Sequence, residues 1–189
     1  DMTRLLFAAV ICIVPWCSNA LGLAVQPGRK PVVVSIHIPD GSNPSPGAQV
    51  VVEVVADITR EADKKGIHWH IYPREQQHKG VETATRITGK SESDSIVVGE
   101  IDWPKTSIVR NVAGEFQQVY EGRTVFKVPV QIADDAMPGE YKLDIAILYQ
   151  TCASLCLPPT TENFEAVIEV KGNSPQPADI TDQTDIRRQ

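Results

Sequence analysis

The chain has 189 residues, 42% of them hydrophobic, with 14 prolines, 12 glycines and a formal net charge of −6. That length carries one well-buried core and leaves two full domains cramped. A mildly acidic chain without a basic stripe argues against nucleic acid as a partner, because a phosphate backbone demands clustered Lys and Arg.

Residues 1–20 read as a secretory signal. Arg4 supplies the positive start, Leu5 to Trp16 form the apolar run, and Ser18-Asn19-Ala20 puts small residues where a signal peptidase reads. The run falls short of the about 20 apolar residues that a spanning helix needs. The bulky Trp16 before Cys17 speaks against lipoprotein processing. Cleavage near Ala20 removes Cys12 and Cys17, leaving Cys152 and Cys156 in a compartment outside the cytosol, where disulfides persist.

Beyond the signal, Pro, Gly and β-branched residues dominate and no helical periodicity is sustained. Val32, Val34, Ile36 and Ile38 alternate with Val33, Ser35 and His37, the period of a strand with one buried face. Asp40 to Gly47 is a turn-rich loop, and a second strand runs from Gln49 to Ala56. Further strands are expected at Ile67 to Tyr72, Thr83 to Thr88, Ser95 to Asp102, Thr124 to Gln131, Glu140 to Gln150 and Asn163 to Lys171. The clearest is Glu140 to Gln150, where Tyr141, Leu143, Ile145, Ile147 and Tyr149 share a face after the Pro138-Gly139 turn. Seven or eight short strands predict an all-β, immunoglobulin-like two-sheet β-sandwich over residues 25–172. From Gly172 the chain turns polar and Pro-rich, which predicts a disordered tail over 173–189.

Cys152 and Cys156 follow the best strand and precede Pro158-Pro159. Continued as a strand, four residues would part their Cα atoms by about 13 Å, whereas a disulfide needs less than about 7 Å. The segment Thr151 to Leu157 must therefore turn if the pair bonds. The two prolines donate no backbone hydrogen bond and keep the segment out of a ladder, at an accessible rim. One reading is a structural staple, yet closing a loop of about five residues stabilises by only about 2 kcal/mol. The other is a redox couple, since neighbouring thiols resolve a mixed disulfide quickly. The nearest ionisable residues along the chain are Asp144 and Glu162, and acidic neighbours raise a thiol pKa. Such a couple is expected to react when docked to a partner rather than alone.

Tyr149-Gln150-Thr151-Cys152 followed by Cys156-Leu157-Pro158-Pro159 resembles the cysteine signature of the amino-terminal periplasmic domain of the DsbD thiol:disulfide interchange proteins. Trp69-His70-Ile71-Tyr72, Gly99 to Lys105, Tyr120-Glu121-Gly122 and Val128-Pro129-Val130 agree in order and spacing, so the resemblance runs from about residue 30 to 171. It implies an immunoglobulin-like fold and a periplasmic module that relays electrons from a membrane-embedded donor to thioredoxin-fold proteins, disulfide isomerases and cytochrome c maturation factors among them. It also implies that Cys156 exchanges with partners while Cys152 resolves, and that His70, Tyr72, Tyr149, Pro158 and Pro159 support the site. His70 stands where the best-known members carry Tyr. The segment Thr106 to Gly114 matches their cap loop, with Ile108 or Phe116 in place of the usual cap aromatic. Full-length reductases of the family continue into a membrane domain and a thioredoxin domain, so the chain is expected to be a standalone module or a fragment.

His68 and His70, two apart, share a strand face, but a metal site needs further ligands that a disulfide cannot supply. No metal and no cofactor are expected. Phe126, Trp69 and Tyr141 read as core. A non-catalytic binding sandwich with a permanent disulfide, and a copper-tolerance protein whose thiols meet Cu(I), remain as alternatives.

Overall fold

The computed structural model describes residues 30–74 and 82–172. The expected signal segment, with Cys12 and Cys17, and the expected tail over 173–189 lie outside the described residues. Among the described residues every regular element is a strand: β1 Val32–His37, β2 Gln49–Ile58, β3 His70–Ile71, β4 Arg86–Ser91, β5 Ile96–Val98, β6 Ser107–Arg110, β7 Phe116–Val119, β8 Arg123–Ile132, β9 Gly139–Tyr149, β10 Thr151–Cys152 and β11 Thr160–Val170.

Two antiparallel sheets form the sandwich, one in the order β1-β2-β8-β5 and the other in the order β11-β9-β4. Alternation along each strand decides which side chains meet between them. Val50, Val52, Val54 and Ala56 of β2 face inward with Phe126, Val128, Val130 and Ile132 of β8. The opposite layer supplies Leu143, Ile145, Ile147 and Tyr149 of β9 with Ala166, Ile168 and Val170 of β11. This is the immunoglobulin-like two-sheet architecture that the spacing of short strands predicts. Phe126 is fully buried, and its ring meets Trp103 and Tyr120 edge-on at 5.5 and 5.2 Å between centroids. Trp69 and Tyr141 are half-buried and pack against the same core.

Two smaller ladders sit beside this frame. β10 pairs with β3, and β6 with β7 as a hairpin. The expected strand at Thr83 to Thr88 is displaced along the chain, because β4 occupies Arg86–Ser91. Thr83 instead donates its N–H to the Gln150 side chain at 2.6 Å, and Thr85 donates to the Tyr72 carbonyl at 3.1 Å. The expected strand at Ile67 to Tyr72 contracts to two residues, His70–Ile71. Before it, Asp63 to Gly66 forms a turn in which Gly66 takes φ +77°.

Replacing Phe126 with Ala removes a fully buried ring from the contact point of both sheets. The expected loss is about 3–5 kcal/mol, read as a lower urea midpoint at unchanged slope.

Candidate functional site

The site begins where β9 ends. Strand β9 pairs with β11 on one side and β4 on the other until Tyr149. The chain then leaves that sheet, and Thr151 and Cys152 pair instead with Ile71 and His70. Gln150 sits at the switch, buried, and its amide replaces the missing ladder: Oε1 accepts the Thr83 N–H and Nε2 donates to the Leu157 carbonyl at 3.0 Å. Tyr149 is also buried, and its hydroxyl donates to Glu162 Oε1 at 2.6 Å. Burial and that carboxylate together push the Tyr149 phenol well above its ordinary value.

After Cys152 the chain turns back on itself. Leu157 donates its N–H to the Thr151 carbonyl at 2.8 Å and Ala153 to the Leu155 carbonyl at 3.0 Å. Cys152 and Cys156 thereby face each other with Cα atoms 4.0 Å apart and are joined by a disulfide. Pro158 and Pro159 are exposed and carry the chain out of this turn into β11 at Thr160. The expectation of an accessible rim holds for one cysteine only. Cys156 is exposed, flanked by Leu155 at 76% and Leu157 at 41% exposure, whereas Cys152 is wholly buried.

What covers Cys152 is the β6–β7 hairpin together with Tyr72. Tyr72, Val119 and Cys152 form a small core of their own, with Val109 packed against it. The hairpin closes through Asn111, whose Oδ1 accepts the N–H groups of Ala113 and Glu115 at 3.0 and 2.9 Å, with Gly114 at φ +85°. Directly opposed residues on antiparallel strands share a face. Ser107–Val119 and Val109–Gln117 therefore look inward, while Ile108–Gln118 and Arg110–Phe116 look outward. Ile108 and Phe116 are accordingly exposed, at 70% and 67%. Register puts Val109, Gln117 and Val119, rather than Ile108 and Phe116, on the face toward Cys152.

Gln117 is the polar tie beneath the hairpin. It is buried, and its Nε2 lies 3.4 Å from His70 Nε2. His70 lies opposite Cys152, buried, with its ring 5.4 Å from that of Tyr72 in an edge-on contact. Its Nδ1 is 3.0 Å from the His68 carbonyl, which can only accept, so Nδ1 carries the proton and Nε2 accepts from the Gln117 amide. Both nitrogens are occupied, and the ring has no free base to offer the cysteines. Burial holds the His70 pKa below its ordinary value, offset in part by the His68 carbonyl and the Glu121 carboxylate. Burial, and the Glu82 carboxylate after it, raise that of Tyr72. His68 turns elsewhere: it is exposed, with Nδ1 3.0 Å from the Arg60 carbonyl.

Asp63 enters the site from outside any sequence neighbourhood of the cysteines. Its Oδ2 accepts the Ser154 N–H at 3.0 Å, and Oδ1 accepts those of Lys65 and Ile67 at 2.8 and 3.0 Å. The Ser154 side chain first, and these amides with it, hold the carboxyl far below the usual carboxylate range. Asp144 and Glu162, nearest along the chain, are engaged elsewhere: Glu162 by Tyr149, and Asp144 on the exposed face of β9.

An all-β sandwich with a disulfide at its rim, one sulfur-bearing residue buried and the other exposed, is the framework of a thiol–disulfide exchange module. The match to the family model of the N-terminal domain of the thiol:disulfide interchange protein DsbD covers residues 64–168, more than half of the chain, and the chain belongs to that family. Among solved structures, the reduced DsbD N-terminal domain of Neisseria meningitidis is 22% identical, covering 77% of this chain and 91% of that one at a TM-score of 0.43. A type I cohesin of Pseudobacteroides cellulosolvens is 11% identical, covering 76% of this chain and 94% of that one at a TM-score of 0.38. No curated protein matches the chain.

Replacing Gln117 with Ala leaves His70 Nε2 without its partner. The expected result is a loss of roughly 1–3 kcal/mol and a severalfold faster reduction of the disulfide by dithiothreitol as the hairpin opens. For His70 the folded state binds fewer protons than the unfolded chain below about pH 6.5, the ordinary histidine value. Stability is therefore full above that pH and falls as the pH drops toward the depressed folded value. Urea midpoints compared at about pH 7.5 and about pH 5.5 are expected to differ less in His70→Phe than in the wild type.

Proposed function

We propose that the chain is an exported, periplasmic module that relays electrons between a membrane-embedded donor and thioredoxin-fold proteins. Cys156 is the sulfur that exchanges with partners, and Cys152 is the sulfur that resolves. The observation that carries the assignment is the unequal exposure of the bonded pair, Cys156 open and Cys152 wholly buried. A partner sulfur has to approach the bond along its axis, and Cys156 is the exposed end of it.

The chemistry balances within the two proteins. A partner thiolate attacks Cys156 Sγ, the Cys152–Cys156 bond breaks, and Cys152 leaves and takes up a proton. The second partner thiol then loses its proton and attacks its own neighbouring sulfur. That step releases Cys156, which takes up a proton, and leaves the partner oxidised. Two electrons and two protons pass to the cysteine pair, and the reverse sequence hands them to the next acceptor. The leaving Cys152 is buried against Tyr72 and Val119, surroundings that favour the neutral thiol. His70, Tyr72 and the hairpin then serve to pack this sulfur and exclude competing thiols, while Tyr149, Pro158 and Pro159 fix where the loop enters and leaves the sheet.

Cys152→Ser is expected to leave Cys156 able to trap a thioredoxin-fold partner as a mixed disulfide on a non-reducing gel. Cys156→Ser, with the buried Cys152 left, is expected to trap at least about tenfold less, and the wild-type pair to show a potential above about −300 mV. A lower potential together with no trapped partner would mean a permanent structural disulfide and end the exchange reading.

A further inference from the structure

We propose that Asp63 is a positioning residue for the cysteine couple: its carboxylate holds the Ala153–Leu155 turn in the closed form that lets Cys152 and Cys156 bond, and so sets how easily the pair is reduced. The proposal rests on the reading of the pair as an exchange couple and adds a residue that neither the cysteine motif nor its flanks contain.

The geometry is specific to the loop. Three residues separate the cysteines, and Ser154 is the middle one. Asp63 Oδ2 accepts its backbone N–H at 3.0 Å. Within the loop, Ala153 bonds only across the turn to Leu155, so among the described residues Ser154 is where the hydrogen bonding of this turn reaches the rest of the protein. The other carboxylate oxygen is fixed by the N–H groups of Lys65 and Ile67, and Asp63 bonds to Ile67 along the backbone, N–H to carbonyl, at 2.8 Å. That turn runs directly into β3, whose His70 is the cross-strand partner of Cys152. One carboxylate thus links the segment that carries Cys152's partner strand to the segment that carries both sulfurs.

The bonded pair is the state in which this link is made. When the sulfurs separate on reduction, the turn between them is released, and the Ser154 contact contributes less. The carboxylate charge acts in the same direction. It favours thiol over thiolate in the reduced loop, holding the reduced form to the weaker-reacting species. Removing Asp63 should therefore shift the equilibrium toward the dithiol.

The test is the equilibrium with glutathione at neutral pH, in which two glutathione thiols become one glutathione disulfide as the Cys152–Cys156 bond becomes two thiols. For Asp63→Ala the reduction constant is expected to rise about three- to tenfold, a potential about 15–30 mV less negative for a two-electron couple. Asp63→Asn, which keeps an oxygen for the Ser154 N–H but loses the charge, is expected to fall between the alanine variant and the wild type. A merely structural role would lower the urea midpoint and leave the constant within about twofold of the wild type; that result overturns the proposal. If the alanine variant does not fold, the same comparison is read on Asp63→Asn, where an unchanged constant is equally decisive. Failure of Cys156 to trap a partner would end the exchange reading while this constant remained measurable. An unchanged constant would remove Asp63 from the device while trapping remained intact.

Discussion

The two-residue ladder between His70–Ile71 and Thr151–Cys152 is the constraint from which the site is built. The chain reaches it by leaving a long, fully paired strand, and such a departure leaves backbone groups that need partners. Gln150 provides them, with its side-chain amide spanning the Thr83 N–H and the Leu157 carbonyl. Once Thr151 and Cys152 are paired to β3, the remaining geometry is forced. Cys152 faces inward against Tyr72 and Val119, and the return of the chain at Leu157 to the Thr151 carbonyl brings Cys156 back on the open side.

That arrangement makes the two cysteines chemically unequal although they are four residues apart. The inequality does not come from ion pairing. Cys152 is enclosed by apolar and aromatic groups, and the buried imidazole across the strand has both nitrogens committed to His68 and Gln117. Cys156 is exposed among Leu155, Leu157 and two prolines, a surface of low polarity and no cation in its sequence neighbourhood. A partner that covers these residues changes the environment of the exposed sulfur more than that of the buried one. Reactivity that depends on docking is the expected behaviour of such a pair.

Much of the frame was legible because strand alternation is a local property. The strands expected at Gln49 to Ala56, Thr124 to Gln131 and Glu140 to Gln150 correspond to β2, β8 and β9, and the cysteine motif points to the right turn. The resemblance points to a cap loop at Thr106 to Gly114 but carries no register, and register is what distinguishes Val109 and Gln117 from Ile108 and Phe116. A signal for it was present: Asn111 to Gly114 is a turn sequence between two alternating runs. Asp63 was not legible at all as a site residue, because 91 positions separate it from Ser154. What the sequence does carry is the Asp63-x-x-Gly66 turn, a reason for an Asp to point its carboxylate at backbone amides, with no indication that the third amide would belong to the cysteine loop.

The choice between a staple and an exchange couple turns on how much the disulfide is needed. A loop of about five residues contributes only about 2 kcal/mol in the chain-entropy account. The sandwich already buries Phe126, Leu143, Ile145, Ile147, Ile168 and a run of valines without contribution from the cysteines. The cysteine cluster is separate from that main core, limited to Cys152, Tyr72 and Val119 with Val109 against it. A break in the disulfide therefore loosens the rim and the hairpin while the two sheets keep their own packing. A protein that must alternate between a bonded and an open cysteine pair requires this separation, since each turnover would otherwise cost it part of its fold.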